Sequence, residues 1–151
     1  MTYEVSDADY VVGDDPARLD IDFVHAFLVN SYWSPGIPPK VVERAIAGSL
    51  AFGLYGPDGK QAGFARVISD RATFAYIADV FVDESHRGKG LGKLLMRAIM
   101  FHPDLQGLRR WSLATRDAHG LYQQFGFRAL AHPERFMEIA DPDVYRRKPP
   151  A

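Results

Sequence analysis

The segment Val80–Met100, VFVDESHRGKGLGKLLMRAIM, restricts the possible folds more than any other stretch of this chain. It leaves an apolar run rich in β-formers, crosses a basic loop with Gly88, Gly90 and Gly92, and enters a helical repeat. Leu91, Leu94, Leu95, Ala98 and Ile99 follow the i, i+3, i+4, i+7, i+8 spacing of one buried face, and Pro103 ends it. Glycine beside a helix start costs about 1 kcal/mol relative to alanine. Three of them so close together imply that something approaches the main chain. Such a junction presents unpaired N–H groups and the positive end of a helix dipole, and Arg87, Lys89 and Lys93 add charge around it. The functional reading is a cradle for a phosphate or pyrophosphate. The plain reading is a tight turn on a solvated basic surface.

Two familiar phosphate loops fit poorly. A Walker loop needs G-x-x-x-x-G-K-(S/T), but Asp83 stands five residues before Gly88 and Gly90 follows Lys89. A dinucleotide loop needs G-x-G-x-x-G opening a βαβ unit, whereas the spacing here is G-x-G-x-G after a run of hairpin strands.

The elements around the junction point to a mixed sheet. Tyr10–Val12 reads as a first strand. DDPARLDIDFVHAFLVNSYW (14–33) reads as a helix, with Asp14 or Asp15 as cap and Pro16 in its first turn. SPGIPP interrupts it, and Pro38 or Pro39 opens a short second helix. Two apolar runs joined at GPDGK form a hairpin, and TFAYIADVFVD is a third, central strand. After the Gly90–Phe101 helix come a strand in RRWSLAT, a short helix in DAHGLYQQF capped by Asp117, and a last strand in RFMEIA; the tail from Tyr145 reads as frayed. The expectation is an α/β fold, antiparallel in its first half, with one βα crossover in the middle.

With 151 residues, 47% hydrophobic and 25% charged, the chain suits one compact domain spanning 1–151 with its core at about 10–140. It has no cysteine, which excludes thiolate-bound zinc and a cysteine nucleophile. A net charge of -1 argues against a nucleic-acid partner. The absence of a signal-like start or a long apolar run argues against a membrane, so a cytoplasmic location is expected.

The junction also resembles the acetyl-CoA signature of the GNAT acyltransferases. There a strand ending in apolar-x-Val precedes (R/Q)-x-x-G-x-(G/A) and an apolar helix; here Val80, Phe81 and Val82 precede Arg87, Gly88, Lys89, Gly90, Leu91 and Gly92. HGLYQQFGF matches the family's Leu-Tyr-x-x-x-Gly-Phe element through Leu121, Tyr122, Gly126 and Phe127. The resemblance covers nearly the whole chain. It implies the GNAT acyl-CoA N-acyltransferase fold, a mixed sheet with splayed parallel strands in the middle and about four flanking helices. It also implies transfer of an acetyl group from acetyl-CoA to a primary amine of a small molecule or peptide, in a ternary complex without a metal, and a possible homodimer through the final strands. A non-catalytic acyl-CoA-binding or sensing module on the same fold is the alternative.

By that resemblance, the amides of Arg87 through Gly92 hold the pyrophosphate, and the strand end at Asp79–Val82 pairs with the pantetheine arm. Thr115 stands where many relatives carry an Asn that contacts the cofactor. Tyr122 is the implied general acid for the leaving thiolate, with a core or rim tyrosine as the plain reading. Asp79 is expected to share a strand face with Ile77 and Phe81, as an acceptor-amine base or as a carboxylate bonded to backbone. Glu84 reads as solvated, and His119 as a proton shuttle or simply exposed. Tyr32 and Trp33 fall where the family builds its acceptor pocket, to stack on a cationic amine or to anchor their loop. Phe136 is a possible further pocket wall. Arg109, Arg110, Arg146 and Arg147 are surface charges, any of which could meet the cofactor's 3′-phosphate.

Overall fold

The computed structural model describes residues 2–147. Six strands lie in one sheet in chain order: β1 (Glu4–Asp7), β2 (Tyr10–Gly13), β3 (Leu50–Tyr55), β4 (Gln61–Ser69), β5 (Phe74–Val82) and β6 (Arg110–Leu113). The first five pair antiparallel, while β5 and β6 run parallel. That parallel pair needs a crossover, which α3 (Leu91–Met100) supplies. The mixed α/β fold expected above is the fold observed.

One face of the sheet carries α1 (Ile21–Leu28) and α2 (Pro39–Ala47), whose Val24, Leu28, Val42 and Ile46 pack on Ala51, Phe64 and Phe81. The other face carries α3 and α4 (His119–Gln123). Leu94, Leu95 and Ile99 bury there against Val12, Phe52, Val67 and Ile77, with Tyr122 at the margin of the same core.

Four expectations need correction. The sheet starts earlier than Tyr10, because the polar stretch EVSD folds back on β2 through a turn at Ala8 and Asp9. The first helix does not start near Asp14. Asp15 caps only a 3-10 turn over Pro16–Arg18, and the chain re-extends before Asp20, whose carboxylate accepts the Phe23 N–H at 3.1 Å and starts α1. Asp117 does not cap α4, which has no side-chain cap; the Thr115 hydroxyl accepts the Ala118 N–H at 3.1 Å in the turn before it. The final strand expected in 135–140 is absent. Pro133–Arg135 form a 3-10 turn, and the extended residues after it, including fully exposed Met137 and Ile139, pair with no strand. Among the described residues the outer edge of β6 is left without a strand partner, and residues 136–140 do not pair with it. Of the tail, Val144–Arg146 form a 3-10 turn with Tyr145 packed on the α1–α2 core, and residues 148–151 lie outside the described residues.

Two irregularities shape the middle of the sheet. β5 pairs with β6 only from Phe74↔Arg110 to Ile77↔Leu113, and beyond that β5 keeps a neighbour on the β4 side alone. In the same stretch β4 opposes Ala78 with Arg66 and Phe81 with Phe64, so β5 carries an extra residue. This bulge sits at Asp79, which adopts a left-handed φ of 55°. It reverses the alternation: Ile77 faces the α3 core while Phe81 faces the α1–α2 core. The expected common face for Ile77, Asp79 and Phe81 is therefore not formed.

Gly63 on β4 makes room for that strand end. A Cβ there would lie 2.7 Å from the Phe81 carbonyl oxygen and 2.9 Å from Leu54 Cδ2. Main chain cannot yield as a flexible side chain would, so Gly63→Ala is expected to cost about 2 kcal/mol in urea unfolding.

Candidate active site

The parting of β5 from β6 opens a cleft of about 490 Å³. It brings Tyr32, Trp33, Asp79, Val80, Thr115 and Tyr122 together from four parts of the chain. Of the other residues predicted to hold the cofactor, Phe81 and Val82 end β5, and Arg87 to Gly92 lie on the turn into α3 and its first residues.

That turn is built for close approach to the main chain. Gly88 and Gly90 take left-handed φ angles of 82° and 73°, and a Cβ at either would meet nothing within 4 Å. Conformation, not crowding by the protein, accounts for these glycines. Gly90 is the N-cap of α3 and offers no side-chain cap. Among the described residues no backbone acceptor takes the N–H groups of residues 88–93; the first inward bond is Leu94 N–H to the Gly90 carbonyl. The flanking cations turn back to the protein. Arg87 Nε donates to the Val82 carbonyl at 3.1 Å, and Lys89 Nζ donates to the Tyr10 hydroxyl at 3.3 Å. Leu91 is buried in the core, as is Phe81, which stacks on Phe27 at 3.8 Å with rings 2° from parallel. Phe81 and Leu91 can therefore serve a ligand only through main-chain atoms, while Val80 lines the cleft. Val82 is held opposite Gly63. Gly92 lets α3 approach Leu121, whose Cδ2 would lie 3.4 Å from a Cβ there.

Asp79 is more engaged than the sequence suggested. Its Oδ1 accepts the Trp33 indole N–H at 2.8 Å, and its Oδ2 accepts Arg66 Nε at 2.8 Å. Arg66 also donates to Ser49 Oγ at 3.2 Å. The carboxylate thus sits in a charged, hydrogen-bonded setting instead of the apolar one expected of it. Arg66 was missed, although a lone arginine in the apolar run AGFARVI was a visible signal. Arg116 was missed too. Its guanidinium lies 3.9 Å over the Tyr32 ring, and its N–H donates to the Tyr32 hydroxyl at 3.0 Å. That face of Tyr32 already holds a cation, which removes it as a platform for an acceptor ammonium.

Tyr122 is 9% exposed and borders the cleft. Burial, with a smaller contribution from nearby Tyr32, raises its hydroxyl above the ordinary phenol value of 10. It also borders a second groove, of about 360 Å³ along the other edge of β6, where His119 lies. Glu84 is in an exposed turn. Phe136 stands apart, under the Arg110 guanidinium at 4.9 Å. Arg110 pairs with the Phe74 end of β5, about 26 Å along the strand from the glycine turn. Arg146 and Arg147 pair with Asp143 and Asp141.

An uncapped, glycine-lined helix head thus follows a strand end that is missing its partner. The profile of the acetyltransferase (GNAT) domain matches residues 50–129, which span β3 to the residues just past α4. The chain belongs to the GNAT acetyltransferases. A candidate GNAT acetyltransferase from Xanthomonas campestris has a solved structure that is 52% identical, with a TM-score of 0.89 over 91% of this chain and 97% of its own. A candidate acetyltransferase of Gibberella zeae is 32% identical over 76% of each chain. A GNAT acetyltransferase from Elizabethkingia anophelis, solved with acetyl-CoA bound, shares the fold at a TM-score of 0.63 over 89% of this chain and 90% of its own, at 14% identity.

The Arg66–Asp79 pair is largely withdrawn from solvent, with side chains 17% and 7% exposed. Removing the cation leaves a buried charge unpaired, so Arg66→Leu is expected to cost about 3 kcal/mol in urea unfolding. Adding Asp79→Asn to that variant should recover part of the loss.

Proposed function

We propose that this GNAT protein transfers the acetyl group of acetyl-CoA to a primary amine of a small molecule or peptide, by direct attack with both substrates bound. The observation that carries the reading is the run of unpaired amides at residues 88–93, beside the strand end that β6 leaves uncovered. Successive N–H groups in a left-handed turn at a helix head bind an anion strongly, and the uncovered β5 edge offers backbone partners to an extended amide-bearing chain. The pyrophosphate and pantetheine of coenzyme A carry those two features in that order. The residues of Arg87 to Gly92 hold the first, and Asp79 to Val82 hold the second.

When bound, acetyl-CoA supplies a thioester carbonyl to the acceptor amine; the new C–N bond replaces the C–S bond, and the thiolate leaves. The chain must then do three things. A backbone N–H in the stretch Val80–Val82 faces the carbonyl oxygen as charge builds there. Tyr122 keeps its proton at neutral pH as any phenol does, burial raises its hydroxyl further, and it gives that proton to the departing sulfur. A neutral amine is also required, since a lysine-like amine has a pKa of about 10.4. Asp79 lines the cleft, as Asp117 does, but both of its oxygens are already hydrogen-bonded. Its part is therefore to hold Trp33 and Arg66 in the acceptor wall, with amine deprotonation left to water in the cleft.

Two experiments test this. Acetyl-CoA at 100 times its dissociation constant should stabilise the protein by about 2.7 kcal/mol, a rise of several degrees in Tm. Gly90→Glu, which puts bulk and negative charge on the amide turn, should abolish that rise; a shift with NAD and none with acetyl-CoA would refute the reading. Tyr122→Phe should lower kcat about 100-fold with coenzyme A affinity unchanged. Because the folded-state value lies above 10, the acid form persists as pH rises, so kcat should show no alkaline decline from this group below about pH 10.

A further inference from the structure

The amide turn has no bond of its own to hold its shape at residues 88–90, yet it must be shaped before an anion arrives. Besides the Arg87 bond to the Val82 carbonyl, a cluster around Tyr10 ties it to the sheet from outside. Tyr10, near the start of β2 and 9% exposed, places its hydroxyl 2.8 Å from His86 Nδ1 and 3.3 Å from Lys89 Nζ. Its ring meets the His86 ring edge-on, with centroids 5.7 Å apart and planes at 87°. The β3–β4 turn closes on the same pair: a Cβ on Gly56 would lie 3.5 Å from both His86 Cε1 and Tyr10 Cε1. His86 is the half-buried member of an otherwise exposed run from Glu84 to Gly90.

We infer that Tyr10 is a positioning residue for the coenzyme turn, acting through His86 and Lys89. This rests on the acetyl-CoA reading above. An ammonium only donates, so Lys89 gives a proton to the phenol oxygen, and the phenol gives its own to the unprotonated Nδ1. That polarity satisfies all three groups and requires the Nε2–H tautomer of His86. The two bonds bracket Arg87 and Gly88, holding the turn at both sides of its first left-handed glycine. They also draw the Lys89 side chain away from the amides, leaving the main chain as the contact surface. An anchored turn pays its ordering cost on folding, not on ligand binding.

The test uses the full chain. Tyr10→Phe keeps the ring and removes only the hydroxyl. Hydrogen exchange of residues 84–90 without ligand should quicken, and coenzyme A should bind about fivefold more weakly, the value of one net hydrogen bond. The kcat at saturating acetyl-CoA should stay within about twofold, since no reacting atom is touched, and Tm should fall by no more than a few degrees. His86→Asn keeps an acceptor at the Nδ1 position and should bind coenzyme A nearly as the parent does, whereas His86→Leu should match Tyr10→Phe. Unchanged exchange and affinity in Tyr10→Phe, with normal binding by the parent, would overturn the anchor. Failure of the parent to bind coenzyme A would instead overturn the cofactor reading beneath it.

Discussion

A helix that begins without a cap leaves its first amides to find partners elsewhere, and α3 begins in this way. Most helix heads are closed by a side-chain cap, but among the described residues no backbone acceptor or capping side chain takes the six N–H groups of residues 88–93, which are left to water or a ligand. The rest of the molecule is arranged to make that head rigid and reachable. Leu94, Leu95 and Ile99 bury the far side of α3 against the sheet, so its axis is fixed by core packing while its head stays open. The left-handed glycines shape the turn that follows the end of β5 left uncovered by β6.

The second constraint is the interrupted pairing of β5. A sheet that splits mid-strand exposes backbone groups that would ordinarily be covered. Here the split is bordered by structure that stiffens it. Phe81 is clamped flat against Phe27 on one face, Gly63 receives its carbonyl on another, and the Asp79 bulge turns the carboxylate toward Trp33 and Arg66. A left-handed Asp inside a strand is costly on its own. Two strong donors on its side chain hold it there.

Much of this was legible before any coordinates. The glycine turn, the α3 face, the β3–β4 hairpin and the Leu121–Tyr122 element each carry a local pattern with one physical solution. What escaped was non-local. The β1 strand has only one Val among Glu, Ser and Asp, and it pairs because a two-residue turn returns it to β2. RFMEIA has the alternation of a strand, but pattern alone does not pair it with the outer edge of β6. The Asp79 bulge has no signature, since it is set by the opposing register of β4 and not by any residue preference. That unseen extra residue is why the predicted common face of Ile77, Asp79 and Phe81 dissolved, and why the Asp79 carboxylate meets Trp33 and Arg66 and not the apolar setting expected of it.

The stacking of Arg116 on Tyr32 has a mechanical side. Arg116 follows β6, and Tyr32 belongs to the loop after α1, so this contact stitches the two banks of the cleft together across its mouth. With a main-chain N–H donating to the phenol oxygen as well, the gap between the banks is bridged at this point. A guest molecule must pass by its girth, as a key passes a keyhole plate, before any chemistry inside can judge it.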